Sequence, residues 1–238
     1  MGAFSGKTVL ILGGSRGIGS LSYVVFVTDG PCTIHLCGVK DAAKRLARDW
    51  SDSSITDSAD RDAVIDVVRK SGALDILVVN AGIGVFGEAL ELNADDIDRL
   101  FKINIHAPYH ASVEAAPADA RRRAHLNHRL VNGDRLPVAG IAAYAASKSA
   151  LQGMARGLAR DFGPHGITIN VVRQGQLIPT LIPPTANARM LHRFMAIKRH
   201  GQSEEVAGMV AWLAGPEASF VTGAMHTIDG AFGANRLR

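Results

Sequence analysis

The chain has 238 residues, of which 47% are hydrophobic and 20% charged, with a formal net charge of +4. That length suits one large α/β domain spanning residues 1–238. No apolar run approaches the ~18–20 residues of a membrane span. Two cysteines, Cys32 and Cys37, make neither a disulfide framework nor a metal set. The apolar "TVLIL" is too short for a signal peptide and runs straight into a glycine loop, so a cytoplasmic location is expected. Arg121, Arg122, Arg123 and Arg129 against Asp119 concentrate positive charge in one segment. Without aromatic interleaving or a binding motif, that cluster does not make a nucleic-acid interface. Neither a nucleic acid nor a membrane is expected as a partner.

"KTVLIL" (Lys7–Leu12) predicts a strand that opens onto "GGSRGIG" and then a helix. Helical periodicity follows over Asp60–Arg69. "ALDILVVNAG" (Ala73–Gly82) predicts a strand running into a turn, and Asp95–Ile105 a helix. Ala142–Phe162 has the length and period of a long helix. "GITINVV" (Gly166–Val172) predicts a strand, Glu204–Leu213 a helix and "AMHTID" (Ala224–Asp229) a last strand. Strands with continuous apolar faces that alternate with helices imply a doubly wound, mainly parallel sheet covered on both sides, a three-layer sandwich of Rossmann type.

In such a sheet a ligand sits at the carboxyl ends of the strands, where the first glycine loop feeds a helix N-terminus. Gly13, Gly17 and Gly19 allow a tight turn and close approach to a pyrophosphate, which the free N–H groups and helix dipole favour. The spacing is GxxxGxG rather than GxGxxG. Together with "NAG" at Asn80–Gly82, "INIHAPY" around Asn104, "YAASK" at Tyr144–Lys148 and the C-terminal "SEEVAGMVAWLAG", it resembles the short-chain dehydrogenase/reductase family along the whole chain.

That resemblance implies a seven-stranded sheet with its fifth strand near Ala124–Leu130, and a homo-oligomer, expected as a tetramer. It implies Tyr144 as general acid/base and Asn104 as the residue ordering a proton-relay water. Lys148 would favour the Tyr144 phenolate and hold the nicotinamide ribose. Tyr144 and Lys148 stand at i and i+4, on one helix face, and an adjacent ammonium lowers a phenol's pKa from about 10. The cofactor-binding set carried over is Gly13, Ser15, Arg16, Gly17, Ile18, Gly19, Lys40, Asp57, Asn80, Ala81, Gly82 and Lys148. The second strand ends in "HLCGVK" without an acid to take a ribose 2′-hydroxyl, whereas Arg16 and Lys40 suit a 2′-phosphate. NADP (as NADPH) is the expected cofactor, and no metal is.

Three positions depart from the family. Leu130 stands where the catalytic serine belongs, and Gln174 stands where proline would precede Gly175. "RRRAHLNHRL" puts Arg, His and Asn into a central strand, where burying an unpaired polar group costs ~1–3 kcal/mol. Read one base later, codons for Ala118 to Val131 permit an apolar strand, RILIIGS, whose serine falls at position 130. Comparable shifts over 20–26, 32–39, 48–55 and 173–186 permit AIVRRF, VRFTYAG, ETGATAV and PGPIDTDANPANG. Five patches that each supply what the fold needs read as out-of-frame translations; the alternative is a diverged member that has lost its serine.

Two functions of different class remain. One is an NADP-dependent oxidoreductase acting on a small-molecule carbonyl or secondary alcohol. The other is a binding module that sequesters cyclic-di-GMP on the same scaffold with little or no turnover. The in-frame segments' similarity to a cyclic-di-GMP-binding, biofilm-dispersing branch of the family implies this alternative. A literal leucine at 130 favours binding over chemistry.

Overall fold

The computed structural model describes residues 2–15, 17–28, 32–38, 53–116, 125–131, 139–175 and 195–234. Seven strands form one sheet: β1 (Thr8–Leu12), β2 (Thr33–Gly38), β3 (Ser53–Ile55), β4 (Ile76–Val79), β5 (His125–Val131), β6 (Thr168–Gln174) and β7 (Met225–Ile228). Their order is β3-β2-β1-β4-β5-β6-β7 and every pairing is parallel. The chain starts in the middle, winds outward through β2 and β3, then returns to β4 beside β1. The point of reversal lies between β1 and β4, where such sheets open a crevice for ligands.

Period-two alternation divides the core. Leu10, Leu12, Leu77 and Val79 face helices α2 (Arg61–Lys70), α4 (Ala107–Ala115) and α5 (Ala142–Phe162), with Val64, Ala111, Leu151 and Leu158 among their partners. Val9, Ile11, Ile76 and Val78 face the other way, toward Ile18 and Phe26 of α1 (Gly17–Thr28) and Val206, Val210 and Leu213 of α6 (Ser203–Ala214). Residues buried on both faces explain why these strands read as unbroken apolar runs. At the amino ends, Asp75 ties β1 to the start of β4, accepting from Lys7 Nζ at 2.8 Å and from the Thr8 amide at 3.0 Å.

The sequence puts a helix over Asp95–Ile105; the structure has α3 (Ala94–Phe101), a π-helical turn at Lys102–His106, and then α4. The helix instead runs on through Pro108, and the wider π-turn immediately before it accommodates the ring and the missing N–H. β5 lies one residue later than expected and runs inside the sheet between β4 and β6, with Val79 beside His128 and Arg173 beside Leu130.

Candidate active site

β1 ends at Leu12 and the chain turns through Gly13 (φ +80°) into α1, whose first residue, Gly17, also has positive φ (+57°). The loop is pressed against the turn that follows β4. The Asn80 amide donates to Leu12 O at 2.8 Å, the Ala81 amide to the same oxygen at 2.9 Å, and Asn80 Nδ2 to Gly13 O at 2.8 Å. A Cβ on Gly13 would stand 2.5 Å from the Ala81 nitrogen, and one on Gly19 would overlap Gly13 O. These two glycines are therefore required by contact between two backbones. At Gly17 nothing lies within 4 Å of a would-be Cβ, so its positive φ rather than crowding calls for glycine there. Ile18 is different: its side chain is buried in the core, leaving its backbone amide as the group it can offer a ligand.

The second half of the site hangs on Asn104, which lies in the π-helical turn and is 1% exposed. Its Oδ1 accepts from the Ile83 amide at 3.0 Å, and its Nδ2 donates to Ile83 O and to Ser147 Oγ, each at 3.0 Å. Ser147 Oγ in turn donates to Tyr144 O at 2.7 Å. Both Asn104 amide hydrogens are thus used to clamp the loop after β4 against α5, and Oδ1 retains one acceptor position. Lys148 is 7% exposed, with Nζ 5.6 Å from the centre of the Tyr144 ring. A Cβ on Gly82 would stand 3.0 Å from that Nζ and 3.2 Å from Asn104 Oδ1, so the lysine and the asparagine converge on Gly82. π-turns of this kind recur at functional sites because they re-aim one side chain out of helical register.

The expected residues are brought together from four elements: Gly13, Ser15, Gly17, Ile18 and Gly19 at the β1–α1 junction, Asn80 to Gly82 after β4, Asn104, and Tyr144 with Lys148 on α5. Position 130 lies near the carboxyl end of β5, on the same edge of the sheet. Asp57 follows β3 on that edge; its exposed carboxylate accepts from the Ala59 amide at 2.9 Å and from Arg99 Nη2 at 3.5 Å. Arg16 and Lys40 lie outside the described residues, as do the greater parts of the suspect segments 118–130 and 173–186. Gly175 is described: its amide donates to Ile228 O at 2.9 Å, and a Cβ there would meet Asp229 at 2.6 Å. That turn therefore keeps its glycine although Gln174 replaces the expected proline. Sequence reasoning missed Ser147 and Phe86. The first lies inside "YAASK" and could have been picked out by its position between Tyr144 and Lys148; the second carries no motif.

The arrangement suits a dinucleotide. The start of α1 lies at the carboxyl edge of the sheet, where its amides could hold a pyrophosphate, and the buried Lys148 ammonium stands 5.6 Å from the centre of the Tyr144 ring. Among the described residues no cluster of His, Cys, Asp or Glu could hold a metal ion, and no helix is long and apolar enough to cross a membrane.

Fold and site together define a Rossmann-type oxidoreductase scaffold, and the chain belongs to the short-chain dehydrogenase/reductase family: residues 32–232 match the family described as Enoyl-(Acyl carrier protein) reductase. It is 75% identical over 237 residues to the cyclic-di-GMP-binding biofilm dispersal mediator protein of Escherichia coli K12, covering 98% of this chain and 100% of that protein. Among solved structures it is similar to BdcA in complex with NADPH, with a TM-score of 0.91 and 71% identity over 99% of this chain and 98% of the other. A short-chain dehydrogenase/reductase from Serratia marcescens superposes with a TM-score of 0.89 at 38% identity, covering 98% and 100%.

Proposed function

We infer that the chain is an NADP-dependent oxidoreductase that moves hydride between NADP(H) and a carbonyl or secondary alcohol. The observation that carries this reading is the convergence of Asn104 Oδ1 and the buried Lys148 Nζ on Gly82, beside Tyr144 and the glycine loop. When bound, the nicotinamide supplies or accepts the hydride, and the protein does the rest. The N–H groups of Gly17, Ile18 and Gly19 hold the pyrophosphate, and the Asn80–Gly82 turn shapes the crevice wall. Lys148 holds the ribose and favours the Tyr144 phenolate. Tyr144 Oη gives its proton to, or takes one from, the substrate oxygen, with a water on Asn104 Oδ1 refilling it. Arg16 and Lys40, with no acid at the end of β2, favour a 2′-phosphate, and a similar structure holds NADPH. Leu130 offers the substrate oxygen no hydrogen bond. Loss of one such donor lowers turnover about 10²–10³-fold, so the chain as written is a slow enzyme.

Sequestration of cyclic-di-GMP in the same phosphate-binding crevice is the second reading. It is favoured by Leu130 and by the name of the 75%-identical relative. Titration of both nicotinamide cofactors by fluorescence separates the parts. NADPH binds about tenfold to a hundredfold more tightly than NADH, as a charge-assisted contact of ~1.5–3 kcal/mol requires; equal affinities refute the cofactor assignment. Tyr144→Phe abolishes any carbonyl reduction found in a substrate screen and leaves NADPH and cyclic-di-GMP binding intact. Tight cyclic-di-GMP binding with no reduction of any carbonyl establishes the second reading instead. We also read the chain as a cytoplasmic homotetramer: Trp212 of α6 is half-exposed, Phe220 is fully exposed, and β7 is an edge strand, so an apolar face stands ready to be covered.

A further inference from the structure

Phe86 is 55% exposed, and the backbone on either side of it is held by hydrogen bonds. Three residues before it, Ile83 is held through both its amide and its carbonyl by Asn104; one residue after it, the Gly87 amide donates to Gly140 O at 2.9 Å, just ahead of α5. Between these anchors the ring folds back over its own chain. A Cβ on Gly84 would stand 2.6 Å from Phe86 Cε2 and Cζ, so the ring occupies space that only a glycine leaves open. Its centre is 5.5 Å from that of the Tyr144 ring, with the two planes inclined at 52°. A large apolar ring left half in water beside a candidate acid/base offers a flat face on which an apolar part of a substrate can be buried.

We propose that Phe86, seated by Gly84, is a specificity-determining residue that forms an aromatic wall beside Tyr144 and selects planar, apolar carbonyl substrates, aryl ketones above small aliphatic ones. The proposal rests on the oxidoreductase reading only for placing the substrate next to Tyr144. Aromatic faces prefer offset or edge-on partners at ring separations of 4.5–7 Å, and a substrate ring can take that place on the open side of Phe86.

The test compares 1-phenyl-1,2-propanedione with 2,3-butanedione, by calorimetric binding with and without NADPH and by NADPH oxidation. The wild-type protein should bind the aryl diketone about tenfold more tightly. Phe86→Ala should lose that preference while keeping its affinity for butanedione, for NADPH and its thermal midpoint. Phe86→Tyr should retain the preference. Gly84→Ala, which leaves the ring present but displaced, should also lose it. Equal binding of the two diketones by the wild-type protein overturns the proposal, as does failure to bind either. An equal loss for both in Phe86→Ala also overturns it and assigns the ring to holding Tyr144 in place. A binding preference without turnover leaves the wall standing and removes the oxidoreductase reading, so the two ideas fail separately.

Discussion

Gly19 is the residue on which the cofactor side of the site depends most directly. A methyl group there would overlap Gly13 O and come within 2.7 Å of Asn80 Nδ2, the atom that ties the glycine loop to the turn after β4. Neither neighbour is the free end of a flexible chain, so the backbone itself has to move. Gly19→Ala should lower stability by about 1–3 kcal/mol in urea titration and weaken NADPH at least tenfold. Unchanged values would mean that the loop is not a fixed cradle. Asn104, Tyr144 and Lys148 were legible as residues because they sit in short strings of distinctive composition. The Asn104–Ser147–Tyr144 chain of hydrogen bonds was not, because it joins positions 43 residues apart and needs the helices packed before it exists. Burial raises the pKa of the Cys32 thiol, which makes it a poor nucleophile.

Among the elements, α6 illustrates a helix whose start is written locally. Gln202 caps it, and Glu205 reaches back to the Gln202 amide at 2.7 Å while taking a two-pronged contact from Arg199 at 2.7 and 2.9 Å. The Arg199 hydrogen bonds, and then the Gln202 amide, pull the Glu205 carboxyl down to about 2 from 4.5. A depressed folded-state pKa stabilises above the unfolded value and is lost as pH falls through the folded one. The difference in thermal midpoint between wild type and Glu205→Gln should therefore be full at pH 7, shrink below about 4.5 and vanish towards 2. A gap that stays constant over that range would rule out the carboxylate as its source. α1 conveys the opposite message. Phe26 and Ile18 are buried, but Val24 and Val27 face outward, and the alternative reading AIVRRF over 20–26 would put charge at the first of these.

At the scale of the molecule, the exposed Trp212 and Phe220, together with the edge strand β7, set up an assembly prediction. Light scattering at micromolar concentration should give a mass four times that of the chain; a monomer would show that this face stays in water. The central strand sets up another. β5 runs where the fold needs it, paired with β4 over His125–His128 and with β6 over its whole length, in spite of His125, Asn127 and His128. If the flanking patch is an out-of-frame translation, a tryptic digest yields no peptides ending at Arg121, Arg122 and Arg123. Finding those peptides would establish Leu130 as genuine and the slow-turnover account with it.

By itself the sequence determined the class of fold and named the candidate site residues. Strands buried on both faces must read as apolar runs, and a loop that meets a phosphate must be rich in glycine; both are local demands of backbone geometry and solvation. The tertiary structure alone decided which distant groups touch. The π-turn that carries Asn104 forms because α3 and α4 run together through Pro108, which no local pattern announces. Phe86 has no motif, and its place against Tyr144 follows from two hydrogen-bonded anchors and the missing side chain of Gly84, contacts that arise only when the loop after β4 is laid across the start of α5.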